Sequence, residues 1–546
     1  MGERNKRTKL KKSMGPGSIW AVAVGSIIGW GCFIQGGLWT ERAGGPLPLF
    51  LGFLAGGLLM IVVGYSYSYM IAKFPVAGGE FAYAYKGFGR TASYICGWML
   101  SLGYLSIVAL NATALPVLAS YIFPGVFNRG YLYTIAGYDV YMGEVGLSLF
   151  FIILFGIMNY KGAKSVGNLQ LAMVLIMCAA VVVSVIGVIA TGHFDASNLQ
   201  PAYGAEGKSL GSGFVSILAL APFLYVGFDC IPQAAEEYDF PPQKCKMLII
   251  SALIVGALIY GAMALVTDCV VPWQQVLTMT DGNGTLVKWH TGAVLDLAMG
   301  KVGVCFVALA VCMGIFTGMN GFFMTSSRLL FGMARAKMLP SAFEKVHPEH
   351  KTPSICVGFT MIICCICPFF GREVIGWVVD MCSVGTAFGY FFTCAGAYIL
   401  LKKYGDDTDT NKIHPAVAMG GCVISVVILL LLIVPGSPAF MAPQSFAALI
   451  VWVLMGVTFY FVSKKNFAKI TKREMDYLIL GKEDGRTDAE MVKAPSDETE
   501  AVYQLLNNVS KRERMYAAKV LRTFLIACSD VGVKDRELHN DSNSRK

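Results

Sequence analysis

Charge is what this sequence has least of. Asp, Glu, Lys and Arg make up 14% of its 546 residues, against about 25% in soluble domains, while 55% are hydrophobic. That excludes a soluble globular fold and implies an integral membrane protein with many spans. The net charge of +9 then needs no nucleic acid to account for it. Histidine is scarce too: six residues, in loops and the tail, which argues against a haem or zinc centre. The 16 cysteines lie mostly inside apolar runs, as Cys178, Cys312, Cys364, Cys365, Cys367 and Cys394 do. There cysteine behaves as a small hydrophobe, and the spacing offers neither metal ligands nor a disulfide framework. A phosphate-cradling glycine loop is missing, so ATP drive is not expected. The basic N-terminus precedes an apolar run too long for the core of a cleavable signal peptide.

Long apolar runs are what the sequence has in abundance. They recur at about residues 17–40, 47–72, 92–120, 144–160, 166–191, 213–235, 247–271, 301–326, 353–370, 374–401, 416–435 and 444–463, which makes roughly twelve spans by length. Alternate connections carry the basic residues: Lys73, Lys86 and Arg90; Lys161 and Lys164; Lys244 and Lys246; Arg328, Arg335, Lys337 and Lys345; Lys402, Lys403 and Lys412. By the positive-inside rule these connections and both termini are cytoplasmic. Glu236 and Glu237 are expected to pair with Lys244 or Lys246. Three outer connections are long, at about 121–143, 192–212 and 272–300, and the last holds an outward-facing sequon at Asn283. The stretch from Pro75 to Tyr85 reads as an interfacial helix on the cytoplasmic side. The chain turns charged after Ser463. Residues 464–546 read as a cytoplasmic tail, partly helical, with a capping box at Thr487–Glu490 and Val502, Leu505, Leu506 and Val509 at helical spacing.

Two runs contain their own interruptions. The first reads Gly25-Ser26-Ile27-Ile28-Gly29-Trp30-Gly31. Its paired glycines weaken the helix at mid-membrane depth, so the stretch is either a close-packing helix face or a broken helix that holds a ligand. The sixth reads Pro222-Phe223-Leu224-Tyr225-Val226-Gly227-Phe228-Asp229-Cys230-Ile231-Pro232. Pro232 fits the first turn of a new helix and Asp229 its N-cap. Two interrupted spans, five spans apart, point to an inverted-repeat transporter. In that architecture amides freed after Gly29 attract an anionic group. Carbonyls freed around Phe223 and Val226 attract a cation. Together they suit the carboxylate and ammonium of an α-amino acid.

Four stretches in order carry a resemblance: Gly25 to Gly31; Phe74-Pro75-Val76-Ala77-Gly78-Gly79-Glu80; Gly227-Phe228-Asp229 with Ala234-Ala235-Glu236-Glu237; and Ser327-Arg328-Leu329-Leu330 leading to Leu339-Pro340. Over about residues 15–463 the chain resembles the amino acid–polyamine–organocation permease superfamily. The resemblance implies an all-α membrane fold of twelve transmembrane helices, with a leucine-transporter-like five-plus-five inverted repeat, broken first and sixth helices and two extra helices. A basic tail at 1–16 would precede a transport core at 17–401, and 402–463 would hold the last two spans. Implied substrate contacts are Ile27, Gly29, Trp30, Gly31, Phe223, Val226, Gly227 and Phe228. Two positions depart from the pattern. Many relatives have Ser or Thr where Trp30 stands, and some proton-coupled ones have a lysine in the fifth span where Met177 stands here.

Carboxylates inside a membrane are functional candidates by default. Asp229 is read as a cation or proton site, a gate or an N-cap, and Asp380 as a gate or a helix-start carboxylate. Thr317 is read as a sodium ligand with first-span carbonyls, or as bonding back to its own helix. Asn111 and Thr113 read as packing glue. No Lys or Arg is evident in the middle of a span, which leaves an acidic ligand without a buried cationic partner. The expected function is therefore alternating-access transport of neutral or cationic amino acids at the cell membrane, by ion-coupled symport or exchange. The rivals are a polyamine or small-amine permease and a membrane sensor that does not transport. Neither enzyme activity nor a catalytic residue, metal or cofactor is expected beyond a coupling Na+ or H+.

Overall fold

The computed structural model describes Arg7 and residues 10–135, 138–280, 287, 289–405, 413–437 and 439–481. The apolar runs are helical because backbone away from water must satisfy its own N–H and C=O groups. The first run divides into α1 (Pro16–Ile28), α2 (Gly31–Ile34) and α3 (Gly36–Ala43). After it come α4 (Pro46–Lys73), α5 (Gly79–Phe88) and α6 (Arg90–Ile122), then α7 (Met142–Lys161) and α8 (Ala163–Ala190). The second broken run is α9 (Leu210–Leu218), α10 (Ala221–Leu224) and α11 (Cys230–Gln233). It leads to α12 (Cys245–Val270), α13 (Trp273–Val276), α14 (His290–Met299), α15 (Lys301–Arg335) and α16 (Ser354–Ile366). The last helices are α17 (Val374–Tyr404), α18 (Pro415–Ile433), α19 (Pro443–Phe467) and α20 (Lys472–Leu480).

Ten helices among the described residues are long and apolar enough to cross a membrane. The segments expected at 17–40 and 213–235 are the two that fall short, because each is interrupted. The centre of the bundle is α1, which packs against α8, α12 and α15, and α19 is fastened to α6 by a reciprocal pair of indoles. Trp98 Nε1 donates to the Trp452 carbonyl and Trp452 Nε1 to the Trp98 carbonyl, each at 3.0 Å.

The fold is all-α as expected, with one short antiparallel hairpin, β1 (Tyr131–Ile135) and β2 (Tyr138–Tyr141), in the connection at 121–143. Three expectations change. The stretch at 75–85 does not lie half-exposed at an interface. Gly79 to Tyr85 are all buried, because α5 inserts between α6 and α17. Arg328 and Arg335 are not in a loop but in the last turns of α15, both fully buried. Glu236 and Glu237 pair with these arginines rather than with Lys244 or Lys246. The described part of the tail contains α20, which Thr471 caps by accepting the Glu474 amide at 3.2 Å, and Met475, Leu478, Ile479 and Leu480 are buried. The sequon at Asn283, the capping box at Thr487 and the apolar set from Val502 to Val509 lie outside the described residues.

Candidate functional site

The two breaks meet. Gly29 ends α1 with φ +52°, in the left-handed region that favours glycine. Gly227, with φ +132°, lies so close to α1 that a Cβ there would fall 2.6 Å from the Ile27 amide nitrogen. Carbonyls at a helix end lose their intrahelical partners, and one side chain collects them from both breaks: the Tyr260 hydroxyl of α12 contacts the carbonyl oxygens of Ile27 and Leu224. Tyr260→Phe leaves both carbonyls buried without that donor, at about 1–3 kcal/mol for an unmet polar group. We expect apparent substrate affinity to fall about 5- to 100-fold with unchanged membrane insertion, measured by binding to the purified protein; an unchanged affinity would show that the carbonyls find other donors.

A cavity of about 290 Å³ opens beside the crossing. Of the eight expected substrate residues, Ile27, Gly29, Trp30, Gly31, Phe223 and Val226 line it. Gly227 is taken up by the contact with α1, and Phe228 turns away to stack on Tyr390 at 5.5 Å and meet Tyr67 edge-on at 5.2 Å. Sequence reasoning missed Tyr260 as a lining residue and read Asn111 only as packing glue. Asn111 donates to the Ile107 carbonyl at 2.8 Å, but its Oδ1 has no hydrogen-bond partner among the described residues, and neither does the hydroxyl of Ser26. Both residues line the cavity, but the two oxygens are themselves covered and lie against α15, where a Cβ at Gly321 would meet the Ser26 hydroxyl and one at Gly318 the Asn111 amide. Gln35 and Tyr260 add polar groups to a largely apolar wall, and Arg42, at the end of α3, is the one charged residue on it among the described residues. Arg42 lies in the last turn of α3, two helix interruptions beyond Gly29, and we place it at the mouth rather than the floor.

The three other candidates lie off the cavity. Asp380 accepts from the Ser445 hydroxyl at 2.6 Å and the Ala442 amide at 3.1 Å, which ties α17 to the start of α19. Thr317 contacts the Gly25 carbonyl of α1 at 3.1 Å and its own Gly314 carbonyl at 3.0 Å, so both sequence readings of it have a geometric counterpart. Beside it, Gln170 of α8 extends its amide between α1 and α15, 3.4 Å from the Ala21 carbonyl and 3.0 Å from that of Thr317. Asn320 and Asn159 hold it there. An uncharged N–H donor thus bridges the two helices, while Met177 is buried further along α8. Asp229 holds the N-cap position of α11 as expected, but its carboxylate turns back to the break, where it accepts the Gly227 amide at 2.7 Å, and caps no amide of that helix.

The opposite end is shut by charge. Arg335 donates to Glu236 at 2.9 Å, and its second terminal nitrogen lies 2.7 Å from the other carboxylate oxygen. Arg7 of the N-terminal segment joins the same carboxylate and donates to the Leu478 carbonyl of α20 at 3.2 Å. Arg328 meets Glu237 at 3.1 Å. The amides of Ser13 and Met14 both bond the Glu237 carbonyl at 2.9 Å. Burial opposes the charge on Glu236, but Arg335 and Arg7 together overrule it and hold the carboxyl low, at about 2.

The family profile described as amino acid permease matches residues 15–458. The chain is 24% identical over 489 residues to a methylthioribose transporter of Bacillus subtilis (strain 168), covering 86% of this chain and 97% of that one. It is 24% identical over 481 residues to the branched-chain amino acid permease BcaP of the same organism, covering 85% and 95%. With an aspartate-proton symporter, also of that organism, it shares 25% identity over 398 residues, covering 71% and 72%. The profile begins at the N-terminal segment, takes in both helix breaks and ends within α19, and on this evidence the chain belongs to the amino acid permease family, as a multi-pass membrane transporter and not an enzyme.

Proposed function

We propose that the protein carries neutral amino acids across the plasma membrane by alternating access, through the cavity between the two breaks. The observation that carries this reading is the cavity itself. Its floor brings together the backbone groups freed at both breaks, with Ser26 and Asn111 on the wall. The amides after Gly29 take the carboxylate. The carbonyls near Leu224 and Val226 take the ammonium. Ile27, Trp30, Phe223 and Val226, with Ile107 and Leu110 of α6, receive an apolar side chain. A cationic side chain finds no carboxylate on this wall, and an acidic one meets Arg42 only at the mouth. On this reading the ten long helices and the two broken ones are twelve spans, with 17–401 as an inverted-repeat core, 402–463 as the last two spans and the tail from 464. Lys73, Lys161, Arg335, Lys402 and Lys464 end helices at the same side as Arg7 and α20, which supports reading that side as cytoplasmic and the cavity as outward-facing.

Counterflow into proteoliposomes preloaded with leucine tests the reading. Leucine, isoleucine and methionine should exchange. Lysine, aspartate and isopentylamine, the leucine analogue that lacks the carboxylate, should fail to compete at tenfold higher concentration. Uptake of the amine without the amino acid would overturn the carboxylate assignment, and binding without any exchange would overturn transport.

A further inference from the structure

Between the cavity and the closed end lies a second buried polar cluster, which substrate binding does not use. Glu80 of α5 is fully buried. Its Oε1 accepts from the Tyr104 hydroxyl of α6 at 3.3 Å, and its Oε2 accepts from the Gln233 amide of α11. The same Tyr104 hydroxyl is 3.3 Å from the Asp229 carbonyl oxygen. Asp229 is fully buried as well. Its Oδ2, the Gln233 Oε1 and the Tyr390 hydroxyl have no hydrogen-bond partner among the described residues. The other ionisable groups facing Glu80 are Tyr67 of α4, Tyr83 of α5, Cys96 of α6, Cys230 of α11, Tyr238 beyond it and Tyr390 of α17. None of these is a cation, and the nearby arginines are engaged with Glu236 and Glu237. Two carboxylates that share a dry site without a cation do not both stay ionised. Burial, and then the charge on Asp229, raise the Glu80 carboxyl above its ordinary range.

We infer that Glu80 binds the proton that drives transport, beneath the substrate cavity, in the hydrogen-bonded cluster it forms with Tyr104 and Gln233. The inference rests on the reading that the chain moves amino acids. A proton suits the site better than a metal ion. Both Glu80 oxygens already face N–H or O–H donors, whose hydrogens point at the place a metal would take. The seat between α1 and α15 is likewise filled by the Gln170 amide. Glu80 gains the proton as an O–H bond of an entering hydronium breaks and a carboxyl O–H bond forms, leaving water; the Tyr104 hydroxyl, placed between Glu80 Oε1 and the Asp229 backbone carbonyl, stays neutral throughout. When the closed end opens, Glu80 loses that proton to the cytoplasm.

Full-length protein in proteoliposomes tests this with two readouts: exchange of internal for external leucine, which needs no net proton movement, and accumulation driven by an acid-outside gradient, with lumenal acidification followed by a trapped dye. Wild type should show both. In E80Q, which keeps the side-chain shape but carries no titratable proton, accumulation and acidification should fall at least tenfold while exchange stays within about threefold. Y104F should slow accumulation by a similar factor. Accumulation by E80Q at the wild-type rate, or wild-type accumulation only under a sodium gradient, would overturn the proton site and leave the transporter reading intact. Loss of exchange along with accumulation in both variants, in protein that still elutes as one folded species, would also overturn it, in favour of a packing role. Wild type that exchanges no amino acid would sink the transporter reading instead.

Discussion

Gly314→Ala should reduce transport at least tenfold, although helix propensity alone predicts a gain. Alanine is about 1 kcal/mol better than glycine inside a helix, and Gly314 sits within the long helix α15. The adverse effect comes from the neighbour. A Cβ at position 314 would fall 2.1 Å from the Gly29 carbonyl oxygen, and that neighbour is backbone, which cannot rotate away. Overpacking of this kind costs about 1–3 kcal/mol. Here it also pushes α15 off the break and moves Gly29 and Trp30 at the cavity floor. Gly358→Ala in α16, where nothing lies within 4 Å, isolates the propensity effect and should leave uptake unchanged. Uptake assays on both variants at matched membrane abundance decide the matter; equal activities would mean that α15 can shift without disturbing the break.

The same contact explains what could be read in the sequence and what could not. Glycine and proline act locally, so the breaks at Gly29 and Gly227 were legible from their own neighbours. The cavity followed as far as Val226 and then failed at Phe228, because the chain turns at Gly227 and the next side chain points away. Partners carried by distant helices left no such mark. Tyr260 reads as an aromatic in an apolar run, Gln170 as a polar residue in another, and Glu80 as the polar end of an interfacial helix. Only packing brings Tyr260 to both freed carbonyls or Glu80 beneath Asp229. Nearness in sequence also misled. Lys244 stands eight residues from Glu236, yet Arg335, 99 residues away, holds that carboxylate, since the ends of α11 and α15 are neighbours in space.

That pairing carries the second large effect. Glu236→Ala should leave Arg335 and Arg7 facing each other without the carboxylate that both bind, and breaking a buried pair from one side costs about 3–5 kcal/mol. Two losses should follow: a lower thermal midpoint, and a closed end that no longer holds the N-terminal segment and α20 together, since Arg7 bridges Glu236 and the Leu478 carbonyl. Accessibility should then reverse. A cysteine introduced at Ser26, on the cavity wall, should react faster with a membrane-impermeant thiol reagent from the cytoplasmic side and slower from the outer side, in a background where native cysteines are blocked or removed. The sign of the pH effect separates this latch from the Glu80 cluster. Glu236 has its carboxyl held below the unfolded value, at about 2, so its stabilisation is complete above the unfolded range and is lost only as pH falls toward 2. Between pH 5 and 8 the latch should not respond. Glu80 is shifted the other way, so its charged form is the disfavoured one and its contribution weakens as pH rises. A thermal midpoint that changes between pH 5 and 8 in the Glu236→Ala variant, but flattens in E80Q, would place the titration at Glu80. A change that persists in E80Q and vanishes in Glu236→Ala would place it at the latch and contradict the arginine pairing described above.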